Sequence, residues 1–241
     1  MKYRSWLFAA TVACAGHLPV ASANLIPPAP VRAPMILALK YVAYRDAQDR
    51  PLVEEREARE LLAAVNRIYS TCSIQFQLEE FQAARPEEHR LSFQPSRMRE
   101  LDPIRSSFED PSRLVVIATG PWNRSGGLGS DGANAWTMMP GDRPSGTVVE
   151  STFARNVNLL AHELGHYLNL EHRTVRENLM NPVIYRDSVQ LDPAQCDDIR
   201  SAATTWRSAA LREIPPQPQI PTGTSGHVRA GKAGPTLRPN R

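Results

Sequence analysis

Cysteine and histidine are both scarce in this chain, with three and six copies in 241 residues, and past the N-terminal segment no run of 18 or more apolar residues occurs. The lack of a long apolar run excludes a membrane-spanning helix from the body of the chain. Charge of one sign is also lacking: 28 Lys and Arg stand against 25 Asp and Glu, for a formal net charge of +3. Because acids and bases are interspersed, this argues against a nucleic-acid partner, which needs a concentrated basic surface. No internal repeat is found. Residues 120–147 hold Gly126, Gly127, Gly129, Gly132, Gly141 and Gly146, but lack the spacing and the Lys-Ser/Thr of a phosphate-binding loop. They read as loops around a short strand at "ANAWTMM". Trp122 and Trp136, in this segment, read as core or surface tryptophans, with a place in a cleft as the alternative.

The ends differ from the middle. Lys2 and Arg4 precede an apolar run from Trp6 to Ala13, and Ala21-Ser22-Ala23 offers small residues for cleavage, so residues 1–23 read as a signal peptide for export. A competing reading makes Cys14 a lipidated cysteine, although Thr11 fits such a signal poorly. In either case Cys72 and Cys196 are the thiols of the mature chain, and in an oxidising compartment they are expected to form one disulfide; two buried free cysteines are the alternative. Residues 24–34 are a Pro-rich extended lead-in. Residues 214–241 are rich in Pro and Gly, carry Arg229, Lys232, Arg238 and Arg241 without any acid, and read as a disordered basic tail.

Residues 35–213 therefore form the expected domain, with a mixed α/β (α+β) pattern. Met35–Tyr44 reads as a buried strand, Leu52–Ser70 as an amphipathic helix, Cys72–Phe81 as a half-buried strand and Arg113–Thr119 as a central strand, which together suggest a sheet backed by a helix. "LDPAQCDDIRSAATTW" reads as a last helix with Asp192 as N-cap and Pro193 in its first turn.

The histidines are not spread evenly. Three of the five outside the signal segment fall in "AHELGHYLNLEH", residues 161–172. Val157, Leu160, Ala161, Leu164 and Leu168 recur at helical spacing, with Thr152 or Asn156 available as N-cap. At ~100° per residue, His162 and His166 lie ~40° apart, away from that stripe, where both imidazoles reach one ion. Glu163 stands beside them, placed to approach a water rather than the metal. His172 joins them only if the chain leaves the helix between Leu168 and His172, and Asn169 tolerates the left-handed conformation that such a turn needs. Three neutral imidazoles with a fourth position open match a catalytic zinc rather than a structural one. An isolated H-E-x-x-H also occurs on solvated helices, so the third histidine and the following "ENLMNP" carry the argument.

HELGHYLNLEH followed by NLMNP resembles the metzincin clan of zinc metalloproteases, with Asn169 where that clan's pattern has Gly. The resemblance implies a twisted mixed sheet backed by helices, an active-site helix and a small C-terminal helical subdomain. It implies zinc ligation by His162, His166 and His172, Glu163 as general base and acid, and Met180 in the turn beneath the metal. No cysteine-containing propeptide motif is present, and Tyr185 reads by default as a core or surface tyrosine. The expected function is a secreted or envelope-located monomeric zinc endopeptidase that binds an extended peptide along the sheet edge near residues 126–139. Its specificity pocket is expected within Val183–Val189. The alternatives are an exported zinc-containing binding module with little proteolysis, docking through its basic tail, and hydrolysis of a non-peptide amide by the same residues.

Overall fold

The computed structural model describes residues 32–213. The signal segment, Cys14, most of the Pro-rich lead-in and the tail lie outside the described residues. In chain order the elements are β1 (Met35–Tyr44), α1 (Glu55–Tyr69), β2 (Ile74–Ala84), α2 (Leu101–Phe108), β3 (Leu114–Thr119), β4 (Ala135–Thr137), β5 (Thr147–Glu150), α3 (Val157–Tyr167), α4 (Pro193–Thr205) and β6 (Leu211–Arg212). The sheet runs β2-β1-β3-β5-β4, with β6 beside β1. Strands β2, β1, β3 and β5 are parallel, whereas β4 is antiparallel to β5 and forms an edge.

Alternation along β1 and β3 explains why both are largely apolar, Lys40 and Thr119 being the exceptions. Leu37, Leu39, Tyr41, Leu114, Val116 and Ala118 face a core shared with α1, α3 and α4. Val42, Tyr44, Val115 and Ile117 face a second, smaller core with α2 and Trp122. A strand buried on both faces needs no polar alternation, which is the origin of the continuous run at 114–119. The sequence reading anticipated one covering layer; α2 supplies the other, from a segment too short and too interrupted by polar residues to show a period.

Helix α1 buries Ala58, Leu61, Leu62, Val65 and Tyr69, and its N-terminus is closed by Glu57, whose carboxylate accepts the Glu54 amide at 2.8 Å. Helix α4 begins at the expected cap, the Asp192 carboxylate accepting from the Gln195 amide at 2.8 Å. Cys196, Ile199, Ala202 and Ala203 enter the main core, so the C-terminal helix is held by apolar contact as well as covalently. The Cys72–Cys196 disulfide is formed, with the two Cα atoms 4.9 Å apart, and links the turn after α1 to the first turn of α4. Among the described residues no helix is long and apolar enough to cross a membrane.

Candidate active site

The site is built on α3 and on the two turns that follow it. Asn156 caps the helix, its side-chain oxygen accepting the Leu159 amide at 3.0 Å. The helix stops at Leu168 in a Schellman arrangement: the Asn169 amide donates to the His166 carbonyl at 3.0 Å and the Leu170 amide to the Gly165 carbonyl at 2.9 Å. Asn169 takes the left-handed conformation, φ 68°, that the sequence required of it. That turn sends the chain back along the helix, and His172 meets the other two imidazoles.

The Nε2 atoms of His162 and His172 each lie 3.1 Å from Nε2 of His166. The Nδ1 atoms settle what the contact between His162 and His166 is. His162 Nδ1 donates to the Leu179 carbonyl at 2.8 Å and His166 Nδ1 to the Leu170 carbonyl at 2.7 Å, and a carbonyl only accepts. With its proton on Nδ1, a neutral ring has a bare lone pair on Nε2. The Nε2 atoms of His162 and His166 are thus acceptor facing acceptor, a contact that no hydrogen bond between them satisfies and that a bound cation would. Burial lowers the His162 pKa to about 4 and also lowers that of His166, which keeps both rings neutral, as metal ligands must be. The three residues could hold one metal ion together.

Met180 is fully buried and packs against Gly165 of α3. A Cβ on Gly165 would collide with its sulfur, so the glycine inside the helix is required by the methionine rather than by the backbone. The Met180 turn is fixed by Asn178, whose side-chain oxygen accepts the Met180 amide at 2.9 Å and whose side-chain amide pairs reciprocally with Gln195 at 2.7 and 3.0 Å. Buried Asn181 continues the anchoring, its amide nitrogen donating to the Val175 carbonyl at 3.0 Å.

Glu163 is only 6% exposed. Burial pushes its carboxyl up to about 7, against the opposing pull of the Thr137 hydroxyl, which donates to Oε2 at 2.5 Å, and of the more distant Arg105 charge. Glu163 and the three histidines line a cleft of about 690 Å³, with β4 on one side and Pro182, Val183 and Ile184 on the other. Residues 131–137 and Met139 line it, whereas 126–130 do not. Trp136 is at the cleft, while Trp122 is buried in the second core. Tyr185 lies under the Arg176 guanidinium, 4.0 Å from ring centre to Cζ, and takes no part in the cleft lining.

Thr137 and the carbonyls of Leu170 and Leu179 were not found from the sequence. Carbonyls leave no residue-type signal, and Thr137 meets Glu163 only through sheet pairing and helix packing across 26 positions.

A family model described as Matrixin, a peptidase family, matches residues 38–205. A crystal structure of metalloproteinase-II from Bacteroides fragilis is similar at 15% identity and a TM-score of 0.48, over 72% of this chain and 55% of that one. The match thus spans little more than half of that protein's length. No curated protein matches.

Proposed function

The chain belongs to the matrixin family of peptidases, and from that premise we propose that it is an exported, monomeric, zinc-dependent endopeptidase. The observation that carries this reading is three convergent imidazole nitrogens with a buried carboxylate beside them on the same helix, all lining one cleft. His162, His166 and His172 would hold the zinc. When bound there, zinc supplies Lewis acidity, which makes water nucleophilic near neutral pH and offsets negative charge developing on a carbonyl oxygen.

The remaining work falls to the chain's own residues. The Glu163 carboxylate accepts the proton of the attacking water and returns it to the leaving amine. Strand β4 orients the substrate. The Asn134 carbonyl and the Met138 amide bond to β5, so the intervening groups of Ala135 and Thr137 point away from the sheet, where an extended peptide adds as a further strand. Pro182, Val183 and Ile184 form an apolar wall against one substrate side chain, in place of the longer 183–189 segment. A carboxylate buried at the floor of a cleft is costly to keep, and a module that only binds has no use for that cost.

The test is cleavage of casein by the full chain before and after chelation, with zinc added back. Cleavage that is lost with the metal and recovered with zinc is expected; persistence after complete chelation, or no cleavage by zinc-loaded protein, would overturn the assignment.

A further inference from the structure

We infer that Thr137 is a positioning residue for Glu163: its hydroxyl anchors Oε2, leaving Oε1 as the oxygen that meets the reacting water. This rests on the peptidase reading above.

Thr137 and Thr147 face each other in the antiparallel β4–β5 pair. The flanking bonds, Glu150 amide to Asn134 carbonyl and Met138 amide to Gly146 carbonyl, make this the non-hydrogen-bonded type of pair, in which opposed side chains come closest. Their hydroxyl oxygens are 2.8 Å apart, and Thr137 Oγ1 is 2.5 Å from Glu163 Oε2. Each hydroxyl has one proton to give. In the ionised form in which Glu163 acts as a base it has none, so Thr137 then donates to Glu163, and the fully buried Thr147 must donate to Thr137. The relay has a fixed direction: Thr147 to Thr137 to Oε2.

The platform is rigid as well. Buried Arg105 donates to the Trp136 carbonyl at 2.9 Å and to the Gly146 carbonyl at 3.0 Å, the residues immediately before Thr137 and Thr147. One guanidinium therefore pins both strands at the threonine pair. Among the described residues, Glu163 Oε1 has no hydrogen-bond partner. Without an anchor, the terminal torsion of a glutamate is broad, and a carboxylate beside a cation turns readily towards it. The Thr137 bond holds this one back from the histidine cluster, as a base rather than a fourth ligand.

The experiment uses the zinc-loaded full chain with Thr137→Val, which keeps the β-branched shape and removes the hydroxyl, and Thr137→Ser, which restores it. For the valine variant, kcat is expected to fall about 10- to 100-fold with KM within about twofold and one zinc per chain retained. Thr137→Ser should stay within about threefold of wild type, and crystals of Thr137→Val should show the Glu163 carboxylate turned from its wild-type orientation. Thr147→Val, which removes only the outer donor, should lower kcat about three- to tenfold, and this decides the matter if Thr137→Val does not fold. An unchanged kcat in Thr137→Val, a loss that merely follows zinc loss, failure of serine to rescue, or an unmoved carboxylate would each overturn the inference. If zinc-loaded wild type cleaves nothing, the peptidase reading fails, and the carboxylate orientation in the variant crystals still decides whether Thr137 holds Glu163.

Discussion

Gly165 and Asn169 show how single residues shape the site, and each leads to an opposite expectation. An alanine in place of a helical glycine ordinarily stabilises a helix by up to ~1 kcal/mol. At Gly165 the added methyl meets the Met180 sulfur and comes to 3.4 Å from the Tyr69 hydroxyl, both buried. Overpacking of this kind costs about 1–3 kcal/mol, so Gly165→Ala should destabilise the protein in thermal unfolding and weaken zinc retention; a raised Tm would show that the methionine yields freely. Asn169 already adopts the left-handed backbone, so Asn169→Gly should be neutral or slightly stabilising, while Asn169→Val should cost ~1–2 kcal/mol and displace His172. Residue identities at this scale were the most legible part of the sequence. The histidine spacing, the need for a turn before His172 and the suitability of Asn169 all follow from local geometry. Thr137, Arg105 and the carbonyls orienting the imidazoles do not, because their roles arise from chain segments that meet only after folding.

At the scale of elements, the loop before β4 and the sheet corner at β6 are held mainly by charge. Arg124 donates to Glu150 at 2.6 Å, to the Asn134 side chain at 2.8 Å and to the Ala133 and Gly129 carbonyls, tying the loop at one side of the cleft to buried Glu150 on β5. Arg124→Ala leaves that carboxylate without its cation, at a cost of about 2–3 kcal/mol, and frees the cleft wall. The expected result is a lower Tm together with a raised KM and a nearly unchanged kcat; an unaltered KM would mean that the wall stands without Arg124.

Glu79 bridges Arg212 on β6 at 2.6 Å and Arg113 beside β3 at 3.2 Å, and these guanidinium groups, the Arg212 hydrogen bond first, hold its carboxyl below the usual carboxylate range. A folded-state pKa below the unfolded one contributes stability that is fully present above the ordinary carboxylate value, near ~4.3, and is lost as pH falls through the lower folded value. The Tm difference between wild type and Glu79→Gln should therefore be constant above about pH 5 and close progressively below about pH 4. A difference that widens on acidification would contradict the bridge. Elements were read less completely than residues. Long periodic segments such as β1, α1 and α4 were visible, but α2, β5 and β6 are short, and their existence depends on partners supplied by the sheet.

For the whole molecule, the disulfide spans 124 positions and joins the turn after the first helix to the last helix. Closing a loop of that length is worth ~5 kcal/mol in the chain-entropy model, and the observed apolar contacts of α4 mean that the native arrangement does not depend on the bond alone. Reduction, or the double substitution of Cys72 and Cys196 by Ala, should lower Tm by about 10 °C or more and leave a folded, zinc-binding protein at low temperature. Loss of zinc binding at low temperature on reduction would show that the bond is needed for assembly and not only for stability. The pairing was open in the sequence, where free thiols were an alternative, because connectivity is a property of the fold.

The measurement that tests the central claim most directly is zinc content and casein cleavage for wild type and Glu163→Gln side by side. Glutamine keeps the shape of Glu163 and an acceptor for Thr137 but removes the base. One zinc per chain in both proteins, with cleavage reduced at least about 100-fold in the variant, is the predicted result. Cleavage by Glu163→Gln at the wild-type rate, with zinc bound, would contradict it.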